Sequence, residues 1–216
     1  MKENVLKVNE IYFSIQGEGT AAGLPCVFIR LTWCNLRCTY CDSEYSFYEG
    51  KNMTFDEILE EVKKYNCELV ELTGGEPLVQ SKSIDFMKTL CDLGYKVLIE
   101  TGGSLPVKNI DPRVTVIMDL KCPSSGMAHK NRLENLQYLK KNDELKFVIG
   151  SLEDYEWCKK IIEKHNLTGK CEILFSTVFG KLAPVDLVNK ILEDNLKVRF
   201  QLQMHKFIWA PDLRGV

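Results

Sequence analysis

The chain has 216 residues, 45% of them apolar, with 28 basic against 30 acidic side chains and a net charge of -2. This length suits one domain over residues 1–216 with one core, and the balanced charge argues against a nucleic-acid partner or an anionic membrane surface. No apolar run approaches the roughly 20 residues that cross a bilayer. The opening Met1-Lys2-Glu3-Asn4-Val5 lacks a leader's apolar segment. A cytoplasmic location is therefore expected, where the nine cysteines serve metal binding or catalysis rather than disulfides.

Taken in chain order, β-branched runs predict strands at Val27–Leu31, Glu68–Leu72, Lys96–Glu100, Val114–Asp119, Leu145–Ile149, Glu172–Phe175 and Lys197–Leu202. Helical patterns lie between most of them. Thr54-Phe-Asp-Glu57 has the capping-box form, followed by Phe55, Ile58, Leu59 and Val62 at helical spacing. Gly94 stands where a helix ending at Leu93 needs a left-handed cap. Ser151-Leu-Glu-Asp154 starts a helix to about His165, and Pro184 sits near the first turn of one running to Glu193. Strand–helix alternation implies right-handed crossovers and an α/β fold with mostly parallel strands, either an open doubly wound sheet or a curved partial barrel. In both, chemistry gathers at the carboxyl ends of the strands. The unusual residues fall there: the cluster of Cys34, Cys38 and Cys41, then Thr73-Gly-Gly-Glu-Pro77, Thr101-Gly-Gly103, Asp119-Leu-Lys121 and Ser176.

The three cysteines occupy eight residues with x3 and x2 spacing, while the other six are scattered and read as small core hydrophobes. A structural zinc site wants four protein ligands, and the fourth is not evident nearby. Three thiolates on a [4Fe–4S] cube leave one iron open, and S-adenosylmethionine (SAM) can fill it through its amino and carboxylate groups. The glycines of Gly74-Gly75-Glu76-Pro77 let backbone approach a ligand closely, Pro77 stiffens the exit, and Glu76 adds a carboxylate for the methionyl ammonium. Arg30 lies in an apolar strand, where a charge is costly unless paired. A substrate carboxylate is one suitable bidentate partner; a buried acid of the protein is the other. Glu18 offers an acceptor, and Gln16 both accepts and donates.

With the cysteines one strand before the Gly-Gly-Glu-Pro loop, the chain resembles the radical SAM superfamily. Gln16-Gly17-Glu18-Gly19, Arg30, Asp42-Ser43 and the closing Trp209…Arg214-Gly215-Val216 narrow the resemblance to the 7-carboxy-7-deazaguanine synthase family, over essentially the whole chain. The resemblance implies an abbreviated partial (β/α) barrel, a homodimer, and a low-potential electron donor such as a flavodoxin or ferredoxin. The implied reaction converts 6-carboxy-5,6,7,8-tetrahydropterin to 7-carboxy-7-deazaguanine with loss of ammonia, in 7-deazapurine (queuosine) biosynthesis, with a [4Fe–4S] cluster, SAM as a reusable cofactor, and Mg²⁺. It also implies site roles: Ser43 on Mg²⁺; Gly75, Glu76, Asp119, Lys121 and Ser176 on SAM; and Gln16, Gly17, Glu18, Arg30, Thr73 and the Val216 carboxylate on substrate. Serine at position 43 is a departure from the threonine of many relatives. It keeps the oxygen but loses the methyl that restricts the rotamer. Two rivals remain open at this point. One is a glycyl-radical activase, which has no need of the Gln-Gly-Glu-Gly motif; the other is an iron–sulfur carrier or zinc module, which has no need of a SAM loop.

Overall fold

A nine-stranded sheet in the order β3-β1-β2-β4-β5-β6-β7-β8-β9 organises the chain. It is seen in a computed structural model that describes residues 4–216; the first three residues of the leader reading lie outside that range. The sheet begins with three strands, β1 (Val5–Ile15), β2 (Pro25–Leu31) and β3 (Lys51–Thr54), in which β1 runs antiparallel to both neighbours. From β2 onward the pairing is parallel through β4 (Leu69–Gly74), β5 (Lys96–Thr101), β6 (Thr115–Asp119), β7 (Glu144–Ile149), β8 (Glu172–Thr177) and β9 (Arg199–Phe200). The edge strands β3 and β9 do not pair, so the sheet curves without closing, as a partial barrel.

Side-chain alternation gives the curved sheet two different faces. Along each strand one set of residues packs into the main core, for example Val70 and Leu72 of β4, Val97 and Ile99 of β5, and Leu145, Phe147 and Ile149 of β7. The helices α1 (Phe55–Lys63), α2 (Lys82–Asp92), α3 (Leu152–Lys164) and α4 (Pro184–Glu193) add their apolar stripes to this core. The intervening residues point the other way because side chains alternate with period two. They include Arg30, Glu71, Thr73, Glu100, Asp119 and Lys146, and they line one chamber on the concave side.

The helix signals correspond to local structure. Thr54 and Glu57 cap α1 reciprocally, Ser151 accepts from Asp154 N at 3.3 Å, Pro184 opens α4, and Gly94 has φ +92°. Three strand expectations change. β1 and β3 were not anticipated; β1's alternation is interrupted by a register shift between Val8 and Glu10, which breaks the period-two pattern a strand displays. β9 is far shorter than Lys197–Leu202. Its chain leaves the ladder after Gln201 N bonds Phe175 O at 2.9 Å, and the Gln201 side chain turns to Gly19 N at 2.6 Å. Cys26 lies inside β2 rather than before it.

The rim is tied by Asp154 at the start of α3. Its carboxylate accepts from Ser124 N (3.0 Å), Ser124 Oγ and Gly150 N (2.8 Å). Ser124 O and Ser125 O in turn hold Thr39 of the cysteine loop at 2.8 and 3.0 Å. Asp154→Ala removes the buried acceptor that these donors share and is expected to cost about 1.5–3 kcal/mol, on the scale of lost hydrogen bonds to a charged group. Chemical denaturation of the purified protein measures it.

Candidate active site

A cavity of about 260 Å³ lies on the concave side, and strands β1, β2, β4, β5, β6 and β7 all contribute to its wall. At its upper end is the loop that follows β2. Trp33 takes a left-handed backbone (φ +83°), uncommon for a bulky residue. This turn points its carbonyl at Glu76 N (2.7 Å), while Leu31 O receives Gly75 N (3.2 Å). The cysteine loop and the Gly-Gly-Glu-Pro loop are thus joined backbone to backbone. A Cβ on Gly75 would collide with the Trp33 carbonyl, which is why glycine is required there. Arg37 holds the cysteine loop from within by donating to Cys34 O (2.8 Å) and Leu36 O (2.6 Å) and by lying 4.4 Å over the Phe47 ring.

Cys34, Cys38 and Cys41 all line the chamber. Among the described residues, no three His, Cys, Asp or Glu side chains close around a single ion. Thiolates that each bind a different iron of one cube stand farther apart than ligands sharing one ion. The donor chemistry fits a cluster: three thiols on one loop, with no acid or imidazole completing a fourth position. Burial pushes the Cys34 thiol up and Cys38 to about 11, with Lys121 opposing the rise in both. Ser43 Oγ lies 3.8 Å from Cys41 Sγ and faces the same chamber.

Next to the cysteines stand the residues expected to hold SAM. Asp119 Oδ2 accepts from Lys121 Nζ at 2.7 Å, and Asp119 Oδ1 is buried with no partner among the described residues. An orphaned acceptor on the chamber wall fits a polar ligand that donates to it. Asn131 fixes Lys121 by bonding its N–H (2.9 Å) and its carbonyl (2.8 Å). Glu76 and Ser176 have surroundings of their own. The Glu76 carboxylate is consumed inside the protein by Leu78 N (3.0 Å), Thr101 Oγ1 (2.9 Å to each oxygen) and Gly102 N (2.8 Å), so it locks the loop instead of standing free for an ammonium. Ser176 is buried on β8 with an unpartnered hydroxyl, but it is not among the residues lining the chamber.

On the neighbouring strand, in register with Asp119, Lys146 Nζ bridges Glu18 (3.1 Å) and Glu100. Burial works against the charge on both Lys146 and Glu100. Their attraction more than offsets it, holding Glu100 at about 2 and Lys146 well above the ordinary lysine range. Glu18 is held further by Gln203 (3.1 Å) and Gln201 (3.3 Å), and Thr73 Oγ1 donates to Glu100 at 3.1 Å. Gln16 spends its amide on two protein partners, donating to Glu71 and accepting from Glu18 N at 3.1 Å. Gly17 carries no side chain because His205 packs where its Cβ would be, and Gly17 O accepts from Met204 N at 2.9 Å.

Arg30 has partners within the protein: its Nε donates to Glu10, a half-buried acid, at 2.7 Å and its Nη2 to Tyr12 Oη at 2.8 Å. It remains part of the chamber wall. The tail returns over the mouth, with Pro211 to Val216 among the lining residues. Arg214 lies 3.7 Å over the Tyr45 ring and 3.2 Å from Glu49. Sequence reasoning missed Glu71, Glu100, Lys146 and His205. The first three carried the same signal that singled out Arg30, a charge at an alternate position of an apolar strand.

The Radical SAM superfamily profile matches residues 28–155. The 7-carboxy-7-deazaguanine synthase of Koribacter versatilis is 47% identical over 98% of this chain and 100% of its own length. That of Chlorobaculum tepidum is 48% identical over 99% of both. Among solved structures, QueE from Escherichia coli superposes with a TM-score of 0.77 at 19% identity, covering 91% of this chain and 94% of that one, which supports the fold. A radical SAM profile over more than half the sequence, together with relatives this similar end to end, means that the chain belongs to the 7-carboxy-7-deazaguanine synthase family of radical SAM enzymes.

Proposed function

We propose that the concave chamber is where 6-carboxy-5,6,7,8-tetrahydropterin is converted to 7-carboxy-7-deazaguanine with loss of ammonia, and that the residues divide between its two ends. The observation that carries this reading is that one chamber wall brings together the three thiols, an orphaned acceptor at Asp119 and, in register with it on the next strand, the Lys146 cluster. Cys34, Cys38 and Cys41 would hold the cluster, and the Gly75 backbone, Asp119 and Lys121 would hold SAM. Together these cofactors supply the hydrogen-abstracting radical chemistry of the superfamily. Glu76 serves by locking the loop, and Ser176 by bordering the site from β8.

The chain's own residues bind and orient the pterin. Glu18 accepts from its N–H edge, with Gln16 and Gly17 setting the loop that presents Glu18. Thr73 and Arg30 contact it from the β4 and β2 walls, and Val216 closes the mouth with a carboxylate. Ser43 offers one neutral oxygen to Mg²⁺. That is a weak site alone, so the ion depends on the substrate carboxylate and water for the rest of its shell. The chain is proposed to act as one domain over 1–216 in the cytoplasm, as a homodimer, with a flavodoxin or ferredoxin as reductant and no nucleic-acid partner. Among the described residues no helix is long and apolar enough to cross a membrane.

Anaerobic reconstitution with SAM, reductant, Mg²⁺ and the pterin acid should yield a product lighter by one ammonia; SAM cleavage without that product would remove the assignment. Replacing Cys34, Cys38 or Cys41 with Ala should abolish the brown absorbance, whereas Cys26→Ala should keep it, because Cys26 lies at the opposite end of β2. Arg214→Ala frees the tail from Tyr45 and Glu49. It is expected to raise the KM for the pterin about tenfold with little change in cluster loading, as steady-state kinetics and absorbance will show.

A further inference from the structure

Among the described residues, three carboxylates, Glu18, Glu71 and Glu100, face the inner chamber and one cation, Lys146, pairs with any of them. Lys146 pairs with Glu18 and Glu100. The other nearby cations are committed elsewhere: Arg30 to Glu10, Lys121 to Asp119 and Lys206 to Asp42. Glu71, in the middle of β4 and 3% exposed, has no cationic partner among the described residues; its contact is the neutral amide of Gln16. That amide donates to Oε2, so Oε2 is an acceptor. Oε1 has no hydrogen-bond partner among the described residues and is not sealed from the chamber, whose wall Glu71 forms. An ionised Glu71 would place a second buried anion beside Glu100 with no cation bonded to it among the described residues.

We propose that Glu71 works as an uncharged carboxylic acid and is a specificity-determining residue that touches the substrate, its Oε1–H donated to an acceptor atom on the pyrimidinone edge of the pterin, the C4 carbonyl or N1. This deepens the pterin reading above and rests on it. The chemistry is complementary. Glu18 and Glu100 are acceptors only when ionised, so they can meet N–H groups of the heterocycle but none of its lone pairs. Glu71 supplies a neutral donor beside them, and Gln16 fixes which oxygen carries it. The charged and titratable groups around Glu71 are Glu100 from β5, Lys146 from β7, Glu18 from the loop after β1, Arg30 and Cys26 from β2, and Tyr12 from β1. Burial first and Glu100 next push the Glu71 carboxyl up, and Lys146 opposes them incompletely.

The sign follows directly. With a raised value in the folded enzyme, the acid form and its donated hydrogen bond persist to higher pH than in an ordinary carboxylate and are lost as pH rises through that value. The test uses reconstituted enzyme and the pterin acid. Wild-type kcat/KM is expected to fall tenfold per pH unit on the alkaline side. Glu71→Gln, which keeps a donor that cannot ionise, should cost about three- to fivefold near pH 7 and lose that alkaline limb. Glu71→Val, with neither donor nor acceptor, should raise KM tenfold or more while kcat, cluster absorbance and uncoupled SAM cleavage change little. An alkaline limb that persists in Glu71→Gln, or a Glu71→Val enzyme with wild-type KM, overturns the proposal. If Glu71→Val does not fold, the Glu71→Gln profile decides alone. Failure of the wild type to form product would instead count against the pterin reading itself.

Discussion

Lys146 sits in the middle of β7, 3% exposed, with its ammonium between Glu18 and Glu100. Removing such a charge from water costs several kcal/mol, and the chain recovers this only by bringing two carboxylates from distant parts of the sequence to one point. That requirement shapes much of the fold. Glu100 must come from β5, two strands away, and Glu18 from the loop between β1 and β2. Gln201 and Gln203 must leave the sheet edge to steady Glu18. The short β9 and the turn of the chain back toward the chamber answer the same requirement. Buried ion pairs are weak contributors to stability but hold geometry closely, and a site that must orient a flat heterocycle needs the latter.

The upper end of the chamber uses different physics. The cysteine loop carries little internal structure and is held by neighbours: the Gly-Gly-Glu-Pro loop through Trp33, the loop after β6 through Thr39, and its own Arg37. Glu76 links that end to β5 by taking the Thr101 hydroxyl and the Gly102 N–H. A thiol cluster and a radical precursor therefore rest on a loop held in place by its neighbours.

Much of this was legible in the sequence because it was local. Capping at Thr54, the glycine at 94, the cysteine spacing and the order of strands each depend on a few adjacent residues. The site was legible where a rare motif marked it, as at Cys34 to Cys41 and Gln16 to Gly19. The partners were not legible. Arg30 was recognised as a costly charge, yet its acid, Glu10, lies across the β1–β2 register, and a register shift one residue before Glu10 hides that pairing. Glu76 looked free because two of its donors, Thr101 and Gly102, are brought near only by the folded sheet; Leu78 N lies just two residues on. Glu71, Glu100 and Lys146 form a cluster only once β4, β5 and β7 are curved around one axis.

The central claim is that the charged concave face, rather than the rim alone, recognises the substrate. An anaerobic crystal structure of the reconstituted enzyme with SAM and the pterin acid tests it most directly. The account predicts electron density for the bicyclic ring within the chamber, its pyrimidinone edge against Glu18, Glu71 and the Lys146 cluster and its carboxylate toward Ser43. A ring bound outside the chamber, with those residues still contacting only one another, would contradict it.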